Sequence, residues 1–191
     1  MDRNVQNIPS ELIYEMDNGT PIYYRGYKDF LNGSKQLDEL MGSSFLQSDI
    51  ITQLVILLGI NLSKKFKVLT NEVGLQFSTN SWRYADIAIL EKEKIKDQTN
   101  LNKYLEIAPD VVIEIDFKAS LSEIQHTSGY FHKKTDQLLD FGVKKVVWIF
   151  TDSQKVMIAE KNRPWQTFNW NLPFEIIEKI EVNIKELIEE E

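Results

Sequence analysis

Apolar and polar positions along the chain switch between two periods. Behind Ser43-Ser44, which suit a helix N-cap, Leu46, Ile50, Ile51, Leu54, Leu57 and Leu58 recur at helical spacing. Gln47, Asp49 and Gln53 supply that helix's polar positions, and one of them is a candidate to touch a site. Strand-like stretches follow at Lys67–Phe77, Arg83–Leu90 and Pro109–Lys118, where β-branched residues dominate. Glu91–Tyr104 is polar and predicts a surface loop or short helix. Ser120 and Glu123 form a capping-box pair ahead of an amphipathic helix through Tyr130, Phe131, Lys134, Leu138 and Leu139, and Gly142 ends it. Strands are expected again at Lys144–Phe150, Lys155–Ala159 and Thr167–Trp170, and Ile176–Glu191 carries a helical period. At the other end, Asn18-Gly19 between Leu12–Tyr14 and Ile22–Tyr24 predicts a hairpin, and Tyr27–Leu31 a short helix. The order αβββαβββ indicates an α/β (α+β) sandwich around a mixed sheet.

Two of these strands carry acids where apolar residues are expected. Asp86 interrupts Ala85-Asp86-Ile87-Ala88-Ile89-Leu90. In Val111-Val112-Ile113-Glu114-Ile115-Asp116-Phe117-Lys118, strand alternation puts Glu114, Asp116 and Lys118 on one face. Carboxylates and an ammonium are costly to desolvate unless they pair or hold a cation. An acid on one strand followed by acid-x-Lys on the next is the pattern of the PD-(D/E)xK nucleases. Hard cations such as Mg²⁺ or Mn²⁺ favour carboxylate oxygens, and a nearby lysine can orient water or stabilise charge. Glu72, on the preceding strand, is a further candidate to face the site, and a place away from it is the stronger reading. The bland alternative is a salt-bridged strand end in which Lys118 neutralises Asp116.

The likeness extends along most of the chain. Tyr84-Ala85-Asp86-Ile87-Ala88, Pro109-Asp110-Val111-Val112-Ile113-Glu114, and Lys134 through Asp140-Phe141-Gly142-Val143 to Trp148-Ile149-Phe150 resemble, in order and spacing, motifs of the Uma2 family (DUF820). This is a bacterial group of restriction-endonuclease-like proteins within the PD-(D/E)xK superfamily. Tyr14-Glu15-Met16-Asp17-Asn18-Gly19 fits its N-terminal arm. The resemblance implies a restriction-endonuclease-like mixed sheet flanked by helices, with an N-terminal hairpin arm over residues 1–40 and a nuclease domain over 41–191. It implies a Mg²⁺- or Mn²⁺-dependent endonuclease acting on DNA, with Asp86, Glu114 and Asp116 as metal ligands. Lys134, on the helix, matches the family's lysine, while Lys118 forms a second acid-x-Lys with Asp116, and both stay open as the catalytic lysine. Gln47 stands where the family commonly has a histidine. Dimeric action is also implied.

Composition narrows the alternatives. The 191 residues are 42% apolar, enough for one domain with a real core. There is no cysteine, which excludes thiolate chemistry, and the two histidines, His126 and His132, argue against a His-based zinc site. No signal-peptide core opens the chain, and its longest apolar run, Leu54–Ile60, is short for a membrane span, so a cytoplasmic protein is expected. The net charge of -7 sits awkwardly with phosphate binding. It favours the competing reading, a nuclease fold kept as a binding or scaffold module with a degenerate site. Tyr23-Tyr24-Arg25-Gly26-Tyr27 suits either base stacking or hairpin packing.

Overall fold

The computed structural model describes residues 8–98, 102–120 and 127–189. The chain opens with a hairpin, β1 (Ile13–Asp17) and β2 (Thr20–Tyr23). Its turn holds Asn18 at φ 48° and Gly19 at φ 83°, the pair of left-handed residues that a tight hairpin of matching twist requires. Two short helices follow, α1 (Tyr27–Leu31) and α2 (Asp38–Met41), and then the long α3 (Phe45–Leu62). Ser44 caps α3, its Oγ accepting from the Gln47 N–H. Next come β3 (Phe66–Ser78), β4 (Ser81–Glu91), β5 (Val111–Ile115), α4 (Thr127–Phe141), β6 (Lys145–Phe150), β7 (Lys155–Glu160) and β8 (Gln166–Asn169). From α3 onward the expected αβββαβββ order is present. The expected capping box at Ser120 and Glu123 falls partly outside the described residues.

The strands form one eight-stranded sheet in the order β2-β1-β4-β5-β6-β7-β8, with β3 also paired to β4. Among the described strands only β5 and β6 pair in parallel, and α4 is the crossover that lets them do so. Strand β5 is buried along its whole length, as a central strand covered on both faces must be.

The two faces of the sheet differ. On one, Ile87, Ile89, Val111, Ile113, Ile115, Val147 and Ile149 pack against Ile50, Leu54, Leu58 and Leu62 of α3. On the other, Val112, Val146 and Trp148 pack with Leu138 and Leu139 of α4 and with Tyr14 and Tyr24 of the hairpin. Helix α3 is long and apolar enough to cross a membrane by length and composition, the one such helix among the described residues. Here it lies on the sheet through that buried stripe.

One expectation is corrected, and one choice between two readings is made. The chain after Pro173 is not one helix: β9 (Phe174–Ile177) and β10 (Ile180–Val182) form a small hairpin before a short α5 (Ile184–Glu189). Glu178 and Lys179, both left-handed (φ 53° and 63°), make its turn, and Phe174, Ile176 and Val182 are buried. The aromatic run at Tyr23–Tyr27 is packing: Tyr24 and Tyr27 are buried, and Tyr23 stacks on Tyr27 at 4.8 Å.

Candidate functional site

Strand alternation carries Glu114 toward α4, because Val111, Ile113 and Ile115 claim the α3 face. Glu114 is buried at 2% exposure. Its Oε2 accepts from Lys134 Nζ at 3.1 Å, and its Oε1 has no hydrogen-bond partner among the described residues. Burial pushes its carboxyl up to about 8, with Asp86 and Glu15 adding repulsion that Lys134 only partly offsets. A buried carboxylate oxygen left without a donor is costly and calls for a reason.

Lys134 is equally buried. Its helical position one turn before Leu138 aims it at the sheet, and carboxylates meet it there: Glu114, and Glu15 Oε1 at 2.9 Å. The rings of Tyr14, Tyr130 and Trp148 surround the ammonium, with centroids 5.6 to 5.9 Å away. Burial alone would lower this lysine's pKa, but Glu114 and Glu15 hold it above the ordinary value.

Asp86 sits where β4 changes neighbours. Strand β4 pairs β5 through Ile87–Ile89 and touches β1 at Trp82. Ala85 belongs to the α4-side core and Ile87 to the α3-side core although they are two residues apart, so the strand's faces turn over at Asp86. Opposite, the β3 register slips between Thr70 and Val73: Asn71 and Glu72 together oppose Asp86. Both are left-handed, at φ 73° and 54°. This is a β-bulge, a device that re-aims side chains. Asp86 Oδ2 accepts from the Ile115 N–H at 2.7 Å, and burial raises its pKa, the Ile115 hydrogen bond and the two lysines opposing. The Ile115 carbonyl accepts from Gln47 Nε2 at 2.8 Å. The backbone next to Glu114 is thus gripped from both sides.

The alternation expected for Asp116 fails. Strand β5 ends at Ile115, and Asp116 is left-handed at φ 57°. Both its carboxylate oxygens are engaged by Thr151, from the N–H at 2.8 Å and the hydroxyl at 2.6 Å. Asp116 therefore ties two strand ends together instead of joining Glu114. Lys118 also departs from the row. It pairs with Glu72 at 2.6 Å and donates to the Met41 carbonyl at 3.2 Å. Lys118, Glu72 and Asp86 line a cleft of about 400 Å³ together with Asn71, Thr70 and Thr52. The structure thus brings Asp86, Glu114 and Lys134 to adjoining elements and places Lys118 at the cleft.

Two residues of this network are not apparent from the sequence pattern, Glu15 and Arg83. Glu15 accepts from Lys134, the Tyr84 N–H, Arg83 and the Tyr130 hydroxyl. Arg83 also meets Gln137, and Asp17 at 3.5 Å. The available signal was a charged residue flanked by Tyr14 and Met16 in a hairpin strand, and another between Trp82 and Tyr84.

Among the described residues, no three His, Cys, Asp or Glu side chains gather as an all-protein metal cage. A Mg²⁺-type ion does not require one, since it is commonly held by one or two carboxylates while keeping several waters. The unpartnered Glu114 Oε1, with Asp86 on the adjacent strand, fits that smaller demand.

Known proteins agree with this architecture. The family model Uma2, described as "Putative restriction endonuclease", matches residues 34–184. No curated protein matches the chain. The crystal structure of a "putative nuclease belonging to DUF820" from Anabaena variabilis ATCC 29413 superposes with a TM-score of 0.61 at 20% identity, covering 76% of this chain and 82% of that one. That likeness is one of fold. The chain belongs to the Uma2 family.

Proposed function

We propose that this Uma2 protein is a divalent-metal-dependent endonuclease that hydrolyses phosphodiester bonds of DNA. The observation that carries the reading is the Glu114 carboxylate, buried with one oxygen unpartnered, beside Asp86 and bonded to a buried lysine. Asp86 and Glu114 would hold Mg²⁺ or Mn²⁺. When bound, the ion supplies a water of lowered pKa and neutralises charge on the reacting phosphate.

The chain's own groups do the rest. Gln47 and Asp86 fix the Ile115 peptide, so Glu114 is presented from rigid backbone. Lys134, positive and dry, offsets the charge that gathers at the two acids and is the better candidate for the site lysine. Lys118, at the cleft, faces the substrate's phosphates once it leaves Glu72. Asp116 serves as the clamp on Thr151 and contributes no ligand in this arrangement.

Incubating supercoiled plasmid with the protein and Mg²⁺ or Mn²⁺ tests the proposal. Nicking or linearisation that disappears with EDTA and in Glu114→Gln is the expected result. Equal cleavage by wild type and Glu114→Gln would contradict it. A second reading, a binding module on a degenerate nuclease fold, is favoured by the absence of a three-acid cluster among the described residues. It predicts DNA retention without metal-dependent cleavage.

A further inference from the structure

Lys134 is shared by two carboxylates that are built differently. Among the described residues, Glu114 receives one hydrogen bond, from Lys134. Glu15 is held at four points, by Lys134 and the Tyr84 N–H on Oε1, and by Arg83 at 3.1 Å and the Tyr130 hydroxyl at 2.7 Å on Oε2. The guanidinium is itself fixed by Gln137 and Asp17. So the rigid partner of Lys134 lies on β1, in the hairpin that precedes the family-matched segment, and the loosely held partner lies on β5.

An ammonium has three donors and no lone pair, so it can be divided between acceptors. Without Glu15, Glu114 would be the one carboxylate paired with Lys134 among the described residues, and a full ion pair would neutralise the acid that a cation needs. We infer that Glu15 is a positioning residue: by anchoring Lys134 on the hairpin side, it keeps one oxygen of Glu114 open toward Asp86 to receive a divalent cation. This rests on the metal-site reading above. The charge state of Glu15 agrees with the role: burial would raise its pKa, yet Lys134 and Arg83 hold it below the ordinary value. The N-terminal hairpin is on this account a working part of the site.

Mn²⁺ binding to the full chain, measured by calorimetry at a temperature where circular dichroism shows each variant folded, tests the inference. Glu15→Gln is expected to weaken Mn²⁺ binding about tenfold, the usual size for loss of a partner behind a ligand. Glu15→Asp, which keeps the charge, should recover part of that loss. Should Glu15→Gln fail to fold, Tyr130→Phe removes one of the four holds with little change in shape and should weaken binding about threefold, a fraction of a full outer partner's effect. A folded Glu15→Gln, or in its place Tyr130→Phe, that binds Mn²⁺ as wild type does would overturn the role. Asp86→Asn separates the two claims. Binding that depends on Asp86 and not on Glu15 leaves the metal site standing and removes this inference. Binding indifferent to Asp86, or none by wild type, removes both.

Discussion

The two faces of the central sheet use different physics. Against α3, isoleucines and valines of β4, β5 and β6 meet leucines. Against α4, the same strands meet a layer containing Glu15, Arg83, Glu114 and Lys134, all fully or almost fully buried. Packing holds most of the first face, with the Gln47 bond to the Ile115 carbonyl as a polar tie from α3. The second depends on opposite charges arriving from four elements, β1, β4, β5 and α4. One side of the sheet is thus mainly a foundation, and the other gathers the buried charges, with the Asp86 cleft opening beside α3.

The comparison is broken most severely by removing a charge from the second face. Lys134→Met strips Glu114 of its ammonium and leaves Glu15 to Arg83 alone among cations, and the expected loss is about 3–5 kcal/mol in urea melts at neutral pH. Leu54→Ala on the α3 face is expected to cost about 2–5 kcal/mol through a cavity, and that cost should not vary with pH.

A pH series sharpens the contrast. Because burial raises Glu114 from 4.5 to about 8, the folded chain keeps a proton there that the unfolded chain releases. The contribution of Glu114 is therefore fully present below the ordinary carboxylate range and is lost as pH climbs from about 4.5 to about 8, by an amount on the order of a few kcal/mol. Asp86, also raised, acts in the same direction. Glu114→Gln should flatten most of that slope in thermal melts, and Leu54→Ala should leave it intact. The same slope in wild type and Glu114→Gln would show that Glu114 holds no proton in the fold over this range.

The smallest effect is expected at the cleft. Lys118→Gln breaks a pair with Glu72 that is partly open to solvent, so stability should change by less than about 1 kcal/mol. If Lys118 meets phosphate, DNA affinity falls evenly across sequences and the salt dependence loses about one unit of slope.

The foundation was legible because its signal is local. Alternating β-branched residues in Val111–Ile115 and the helical stripe from Ile50 to Leu58 each announce their own face. The site was legible in part. Asp86 and Glu114 stand out as acids in apolar strands, and Lys134 as a lysine on a core-facing helix position. Asp116 misled because alternation assumes the strand continues, and a left-handed residue ends it. Glu72 faces the cleft only through the bulge opposite Asp86, and a register slip leaves no mark in composition. Glu15 becomes the shared partner of Lys134 and Arg83 only when the hairpin joins the sheet, a contact between residues far apart in sequence. The C-terminal apolar residues fit a helix or a hairpin equally, and the two left-handed turn residues, Glu178 and Lys179, carry no glycine to reveal them.

The most direct test of the central claim is Mn²⁺ calorimetry on the wild-type chain and on Asp86→Ala with Glu114→Ala, each checked for a cooperative melt. The account predicts micromolar-to-millimolar binding by the wild type and none by the double variant. Undiminished binding by the folded double variant, or no binding by the wild type with DNA present, would contradict it.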